Sequence, residues 1–198
     1  LPGLLDDAMR QGRELRVWTA GCSSGEETYS LAITIAEVLD GRPPVDVRIF
    51  ATDVDAAAIA FARRGFYPAG ALKGIPAPLR SRYFTPVGTG FEVIKRLRSQ
   101  MVFGEHDLST RVPFPRIDLL LCRNVLIYFT PPLQRVALET FAFSLRPDGR
   151  LVLGPSETVA ALPGPYDEEH ARLRIYRRLP GQQQVPLADA CGRVLAAA

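Results

Sequence analysis

Near its start the chain reads Leu15-Arg-Val-Trp-Thr-Ala-Gly-Cys-Ser-Ser-Gly-Glu-Glu27. The apolar first half of this stretch predicts a β-strand, and the small residues that follow predict a tight turn into a helix. Ser23 and Ser24 each precede a glutamate by three residues, which is the spacing of a capping box. We therefore expect one of these serines to cap the helix.

A second strand and helix repeat this order. Residues 45–52 are largely apolar and end on Asp53, and Asp55 stands where it would cap a helix from Ala56 to about Arg64, which Gly65 would end. Strand, helix, strand and helix in succession require parallel crossovers. The sequence therefore predicts an α/β sheet.

The rest of the chain continues the sheet after an interruption. Turn residues 85–90 predict a β-hairpin, inserted over about residues 82–99, in which residues 91–97 form the second strand. Further predicted elements are strands at 101–103, 117–122 and 150–153, a helix at 131–145, and an edge strand at 173–177. We expect one domain over residues 1–180 and a C-terminal tail over 181–198.

Composition narrows the class of protein. The 198 residues are 47% hydrophobic and carry a formal net charge of +3, which excludes a wholly disordered chain and does not by itself imply nucleic acid. No apolar run reaches the roughly 20 residues of a membrane helix, so no membrane insertion is expected. Cys22, Cys122 and Cys191 show no paired spacing, which predicts reduced thiols, a cytoplasmic location and no metal site.

Candidate site residues follow the predicted strands. Ligands of open parallel sheets bind beyond the carboxyl ends of the strands, and the residues at these ends are small, acidic or polar. The small-residue turn with Gly21 and Gly25 either admits a ligand close to the backbone or is only a tight turn. Glu26 and Glu27 in the first helical turn would repel a phosphate and attract a cation such as an ammonium or sulfonium.

Two aspartates after the strands have alternative interpretations. Asp53 could accept hydrogen bonds from both hydroxyls of a ribose, as acidic residues after second strands do, or it could cap a helix; Asp55 is the better cap, which favours the ribose. Asp107 could bind an adenine amine, and it is equally suited to forming a turn. Cys22 and Cys122 lack a neighbouring base and are interpreted as packing residues.

The most unusual stretch is Cys122-Arg-Asn-Val-Leu-Ile-Tyr-Phe129. Arg123 could be a surface charge and Asn124 a turn residue. Their position at the end of a buried strand, with Tyr128 four residues on, favours a role in the site.

Four stretches together resemble the chemotaxis receptor methyltransferases of the CheR family. In chain order they are Val17-Trp-Thr-Ala-Gly-Cys-Ser-Ser-Gly-Glu-Glu-Thr-Tyr-Ser30, Phe50-Ala-Thr-Asp-Val-Asp55, Cys122-Arg-Asn-Val-Leu-Ile-Tyr-Phe129 and Leu145-Arg-Pro-Asp-Gly-Arg-Leu-Val-Leu-Gly-Pro-Ser-Glu157. The resemblance implies a Rossmann-like sheet with helices on both faces and a small inserted antiparallel subdomain. It also implies a protein-glutamate O-methyltransferase that uses S-adenosylmethionine and releases S-adenosylhomocysteine.

The resemblance also assigns roles to residues. It places Ala20 and Glu26 at the methionine end of the cofactor and Asp53 at the ribose, and Gly21 also belongs to the cofactor-binding residues. Asp107 and Leu108 stand where the family commonly has Asn-Leu beside the adenine. Arg123, Asn124 and Tyr128 match the motif of the cofactor and active site, where Tyr128 and Arg123 are the catalytic candidates. The inserted hairpin corresponds to the subdomain by which family members contact the cytoplasmic helices of chemoreceptors. Its basic residues Lys95, Arg96 and Arg98 could face an acidic receptor helix, and they are equally suited to a solvated strand face.

The chain departs from the family at its beginning, where the N-terminal helical domain and a segment with an active-site arginine are not present. We therefore expect a catalytic core from a longer protein. Two rival functions remain open at this stage: a non-catalytic cofactor-sensing or scaffolding module of a larger signalling protein, and a nicotinamide oxidoreductase.

Overall fold

Helices and strands alternate along most of the chain, in a computed structural model that describes residues 1–109 and 114–181. The helices are α1 (Pro2–Arg10), α2 (Glu26–Leu39), α3 (Ala56–Arg64), α4 (Ala77–Tyr83), α5 (Lys95–Arg98) and α6 (Pro131–Ser144). The strands are β1 (Leu15–Ala20), β2 (Val47–Asp53), β3 (Phe66–Pro68), β4 (Phe84–Val87), β5 (Gly90–Val93), β6 (Met101–Glu105), β7 (Ile117–Cys122), β8 (Leu145–Leu153), β9 (Tyr166–His170) and β10 (Ile175–Arg178). The expected tail lies outside the described residues apart from Gly181.

The chain divides into two units, the first of which comprises Leu1–Leu15 and Cys22–Glu105. Its strands β2 and β6 are parallel, with Asp53 opposite Glu105, and α3 packs on both of them. Parallel pairing with an intervening helix is the crossover that the sequence predicted. Helix α3 also begins and ends as expected: Asp55 accepts hydrogen bonds from two backbone N–H groups, and Gly65 ends the helix in a left-handed conformation.

A small antiparallel sheet in the first unit has the order β3-β5-β4. The predicted hairpin corresponds to β4 and β5, but Phe66–Pro68 adds a third strand that was not predicted. The expected second strand at 91–97 is wrong for residues 95–97, because these lie in the helical turn α5. Tyr67 anchors the small sheet, because its hydroxyl donates to the Ser24 carbonyl at 2.8 Å.

The second unit comprises Arg16–Gly21 and the described residues from His106 onward. Its strands have the order β1-β7-β8-β10-β9, of which β1, β7 and β8 are mutually parallel. All six residues of β7 are buried, as the apolar run predicted. Trp18 is fully buried among edge-on rings of His106, Phe114 and Phe141, with centroids 5.2–5.7 Å apart.

The predicted edge position of residues 173–177 is wrong. Strand β10 pairs with β8 on one side and with β9 on the other, so β9 is the last strand in this order. Strand β9 reads Tyr-Asp-Glu-Glu-His and lacks the apolar alternation that would have revealed it.

Candidate functional site

Asp53 organises the carboxyl end of β2. Its Oδ2 accepts the Ser23 N–H at 2.7 Å, and its Oδ1 accepts the Asp55 N–H at 3.0 Å. The carboxylate therefore has a structural partner in each adjoining loop, which the sequence argument did not foresee. Each carboxylate oxygen has two lone pairs, so the half-exposed side chain retains the capacity to accept further hydrogen bonds.

Helix α2 begins in a way that differs from the predicted capping box. Its N-cap is Gly25, at φ 91°, and no side chain caps it. The Ser24 hydroxyl donates instead to the exposed Glu26 carboxylate at 2.6 Å, and the left-handed glycine separates both serines from the helix. The first helical turn therefore carries Glu26 and Glu27 as expected, without the serine cap.

Cys22 reports the electrostatic character of this loop. Burial, followed by the negative charges of Asp53 and Glu26, raises the pKa of the Cys22 thiol to about 12. The thiol is 4% exposed and stays protonated at neutral pH, which agrees with a packing residue rather than a nucleophile. The same negative charges would favour a cation beside this loop.

In the second unit, the parallel register of β1 and β7 brings the ends of these strands together. Thr19 lies opposite Leu121, so Ala20 and Gly21 lie beside the segment that follows β7. Gly21 has φ 74°, and a Cβ added there would lie 2.2 Å from Val125 Cγ2. The glycine is therefore required by a protein contact, whatever ligand also approaches it.

Asn124 begins the segment after β7 in a left-handed conformation, with φ 59°. Asparagine tolerates this conformation better than most residues. A short 3-10 turn, Leu126–Tyr128, follows. Tyr128 is 81% exposed, which is unusual for a large aromatic side chain and leaves its phenol accessible.

Glu157 holds this segment, a role that was not predicted from the sequence. Its side chain is 4% exposed and accepts backbone N–H groups from five residues at 2.7–3.4 Å. These donors are Asn124, Val125, Leu126, Ile127 and Gly154. Gln134 supports the same segment from α6, because its amide donates to the carbonyls of Leu126 and Phe129.

Asp107 forms a turn. Its Oδ1 accepts the backbone N–H and the hydroxyl of Ser109 at 2.8 and 2.7 Å, which is the turn-forming alternative of the sequence argument. Leu108 is 7% exposed. An adenine contact at these two residues therefore remains a prediction.

The structure thus brings the candidates together in two groups. Asp53 lies with Cys22 and Ser23 in the first unit, and Glu26 follows on the same loop. Gly21 and Asn124 lie with Val125 and Glu157 in the second unit. None of the helices in residues 1–109 and 114–181 has both the length and the hydropathy of a membrane-spanning segment.

Residues 2–175 match the family model of the CheR methyltransferase, SAM-binding domain. The chain belongs to this family. The match confirms the expected resemblance and identifies S-adenosylmethionine (SAM) as the cofactor. It gives no support to the nicotinamide alternative.

Curated CheR relatives are longer than this chain. It is 40% identical over 166 residues to chemotaxis protein methyltransferase 2 of Pseudomonas aeruginosa, covering 79% of this chain and 59% of the relative. It is 39% identical over 169 residues to the chemotaxis protein methyltransferase of Escherichia coli, covering 81% and 58%. The chain thus spans about three fifths of these relatives.

A different relative is much larger. The chain is 39% identical over 181 residues to an uncharacterised 104.1 kDa protein of Rhodobacter capsulatus, covering 90% of this chain but 19% of that protein. Among solved structures, TrmN from Thermus thermophilus has a TM-score of 0.51 at 20% identity, over 89% of this chain and 47% of that one. This likeness supports the predicted α/β fold.

The residues present fit the CheR cofactor. A sulfonium carries positive charge, and the charges that raise the Cys22 pKa belong to Asp53 and Glu26. A ribose needs acceptors for its hydroxyls, and the half-exposed Asp53 carboxylate offers them.

Proposed function

We propose that this chain is the catalytic part of a protein-glutamate O-methyltransferase that methylates chemoreceptors in the cytoplasm. The observation that carries the proposal is the 39–40% identity to proteins named chemotaxis protein methyltransferases. The acceptors would be glutamate side chains in the cytoplasmic helices of the receptors, and the product would be a glutamate methyl ester.

The chemistry requires positioning more than acid–base catalysis. When bound, SAM would supply a methyl group attached to a sulfonium. A carboxylate oxygen of the acceptor would form a bond to the methyl carbon as the bond between that carbon and sulfur breaks, which releases S-adenosylhomocysteine. A free glutamate has a pKa of about 4.3, so it is already ionised at neutral pH and needs no base. The protein's contribution is to orient the reactants and to exclude water.

The residue roles in this proposal come from the resemblance to the family. Asp53 accepts the ribose hydroxyls, while Ala20, Gly21 and Glu26 bind the methionine end. Asn124 also contacts the cofactor, and Asp107 with Leu108 borders the adenine.

Tyr128 and Arg123 are the proposed catalytic residues. The exposed Tyr128 phenol can donate to the attacking oxygen or orient the methyl group. Arg123 directly follows β7, and its guanidinium can hold the acceptor carboxylate through paired hydrogen bonds.

The small sheet and the adjoining α5 are proposed to contact the receptor. Lys95 and Arg96 are exposed, whereas Arg98 is partly committed, because it pairs with Glu92 at 2.8 Å and donates to the Arg64 carbonyl. Lys95 and Arg96 are therefore the better candidates for acidic receptor side chains. Reversing both charges should raise the KM for receptor about tenfold without changing SAM affinity.

The control for this test is Arg172→Glu, which changes an exposed charge in the second unit. The control reverses one charge and the test variant reverses two. An equal rise in the logarithm of KM per reversed charge would therefore attribute the effect to net charge rather than to a contact at α5.

Methyl transfer itself is tested with radiolabelled SAM and receptor-containing membranes. Base-labile label on the receptor, released as methanol, is the expected product. Asp53→Asn replaces one acceptor oxygen by an NH₂ donor and removes the charge, so it should weaken S-adenosylhomocysteine binding. Asp167→Asn, at an exposed ion pair with Arg177, should not weaken it. Binding of the cofactor with no base-labile product would contradict the proposal.

That last result would favour a second candidate function, a non-catalytic SAM- or S-adenosylhomocysteine-binding module within a larger signalling protein. The observation in its favour is the Rhodobacter capsulatus relative, of which this chain covers only 19%.

A further inference from the structure

We propose that Glu157 is a positioning residue, which holds the segment 123–128 in the conformation that binds cofactor and presents Tyr128. The inference rests on the proposed function, because it concerns residues assigned there to the cofactor and to catalysis. Glu157 itself is not assigned a contact with either reactant.

The hydrogen bonds of Glu157 fix a backbone rather than a side chain. Oε1 accepts the N–H groups of Val125, Leu126 and Ile127 at 2.8, 2.7 and 3.4 Å. Oε2 accepts those of Asn124 and Gly154 at 3.1 and 2.7 Å. Four consecutive N–H groups therefore converge on one buried carboxylate, which determines the path of the chain from the end of β7 to the turn that carries Tyr128.

The surroundings of Glu157 are adapted to this approach. A Cβ at Gly154 would lie 2.6 Å from Glu157 Oε2 and 3.0 Å from the Asn124 nitrogen. Any side chain at residue 154 would displace the carboxylate or the segment. The register of β7 and β8 explains the proximity, since Cys122 lies opposite Leu153 and the two strands end together.

A neutral side chain cannot replace this carboxylate. Glutamine has one acceptor oxygen and an NH₂ group that only donates. In Glu157→Gln, the NH₂ group would face either the two donors on Oε2 or the three on Oε1. The segment would then have to move until those N–H groups find other acceptors.

The consequence for binding follows from the population of the competent conformation. If the segment holds its native path in only about a tenth of the molecules, the apparent Kd for S-adenosylhomocysteine rises about tenfold. Misplacement of Tyr128 by about 1 Å would lower kcat by up to about 100-fold. Neither effect requires the protein to unfold.

The experiment measures S-adenosylhomocysteine binding by calorimetry, and kcat, at a temperature where circular dichroism shows each variant folded. The matched control is Asp118→Asn, because Asp118 is also buried, accepts the Arg16 N–H at 2.9 Å and lies near the beginning of β7. We expect Glu157→Gln to raise Kd about tenfold, with the control within about twofold of wild type.

Glu157→Asp retains the charge on a side chain one methylene shorter and should give a Kd between those of wild type and Glu157→Gln. If Glu157→Gln does not fold, the Kd of Glu157→Asp tests the positioning role. A merely structural role would lower the melting temperature of these variants and leave the Kd of the folded protein unchanged. A Kd within about twofold of wild type in the folded variants would overturn the inference.

The two proposals can fail separately. If the wild-type protein transfers no methyl group to receptor membranes, the proposed function fails, and the comparison of Kd values still tests the positioning role.

Discussion

Replacing Gly21 with alanine would place a methyl group where Val125 already lies. The added Cβ would be 2.2 Å from Val125 Cγ2, far inside the 3.5–4.0 Å of an ordinary carbon contact. The backbone at Gly21 is also left-handed, with φ 74°. We therefore expect Gly21→Ala to be destabilised by two separable causes.

The magnitude of each cause can be worked out separately. A left-handed conformation costs an L-residue about 1–2 kcal/mol. Overpacking by a methyl group costs about 1–3 kcal/mol, so the sum is about 2–5 kcal/mol. Gly12 provides the matched control, because its φ is 57° and a Cβ there would meet nothing within 4 Å. Gly12→Ala should incur only the backbone cost.

The assay is the free energy of unfolding from urea denaturation, supported by melting temperatures. Gly21→Ala should be less stable than Gly12→Ala by about 1–3 kcal/mol, or by about 2–12 °C for a chain of this size. Val125→Ala removes the clashing Cγ2, so the double variant should be more stable than the sum of the single effects predicts. Equal stability of the two glycine variants, or additivity within about 0.5 kcal/mol in the cycle, would refute the reasoning.

Three further predictions concern single side chains. Asp55→Ala should lower the free energy of unfolding, measured by urea denaturation, by about 1 kcal/mol, because Asp55 accepts two N–H groups at the start of α3. Asp46→Ala, at an exposed residue, should change this free energy little. The Cys22 pKa is raised from 9.0 to about 12, so its thiol ionises more readily in the unfolded chain. The contribution of the protonated thiol to the free energy of unfolding should be full below pH 9 and should fall by about 1.4 kcal/mol per pH unit between pH 9 and about pH 12. Cys22→Ala should lack this slope. Tyr128→Phe should lower kcat about 10- to 100-fold at unchanged melting temperature, because the exposed hydroxyl is proposed to act only on the reactants; an unchanged kcat would remove Tyr128 from the mechanism.

Elements whose determinants are local could be predicted from the sequence. Helix α3 is the best example, since Asp55 caps it and Gly65 ends it, as the residue types indicated. Strand β7 was also predictable, because five of its six residues are apolar, and in the structure all six are buried. In each case the deciding residues lie within the element or next to it.

Features that depend on distant partners could not be predicted. Whether β10 lies at an edge depends on β9, a strand with four polar residues that pairs with it. The sequence correctly predicted that Asp53 is not the cap of α3. It did not predict the hydrogen bonds that Asp53 accepts from Ser23, 30 residues earlier, and from Asp55, 2 residues later. Glu157 is more remote, because it contacts a segment 30–33 residues away without any periodic signal.

Glu26 and Glu27 carry negative charge into the first turn of α2, which disfavours a bound phosphate, and the backbone of the preceding loop supplies a second reason. A loop that binds phosphate offers its N–H groups to the ligand. Here the Cys22 N–H donates to the Thr52 carbonyl at 2.9 Å, the Ser23 N–H to Asp53 at 2.7 Å, and the Gly25 N–H to the Cys22 carbonyl at 2.9 Å. These donors are already used within the protein, while the carboxylates of Glu26 and Asp53 face outward in part. A pyrophosphate bound by these three N–H groups would have to break these bonds and overcome the negative charge, whereas a sulfonium with a ribose can use the acceptors and the charge that the loop retains.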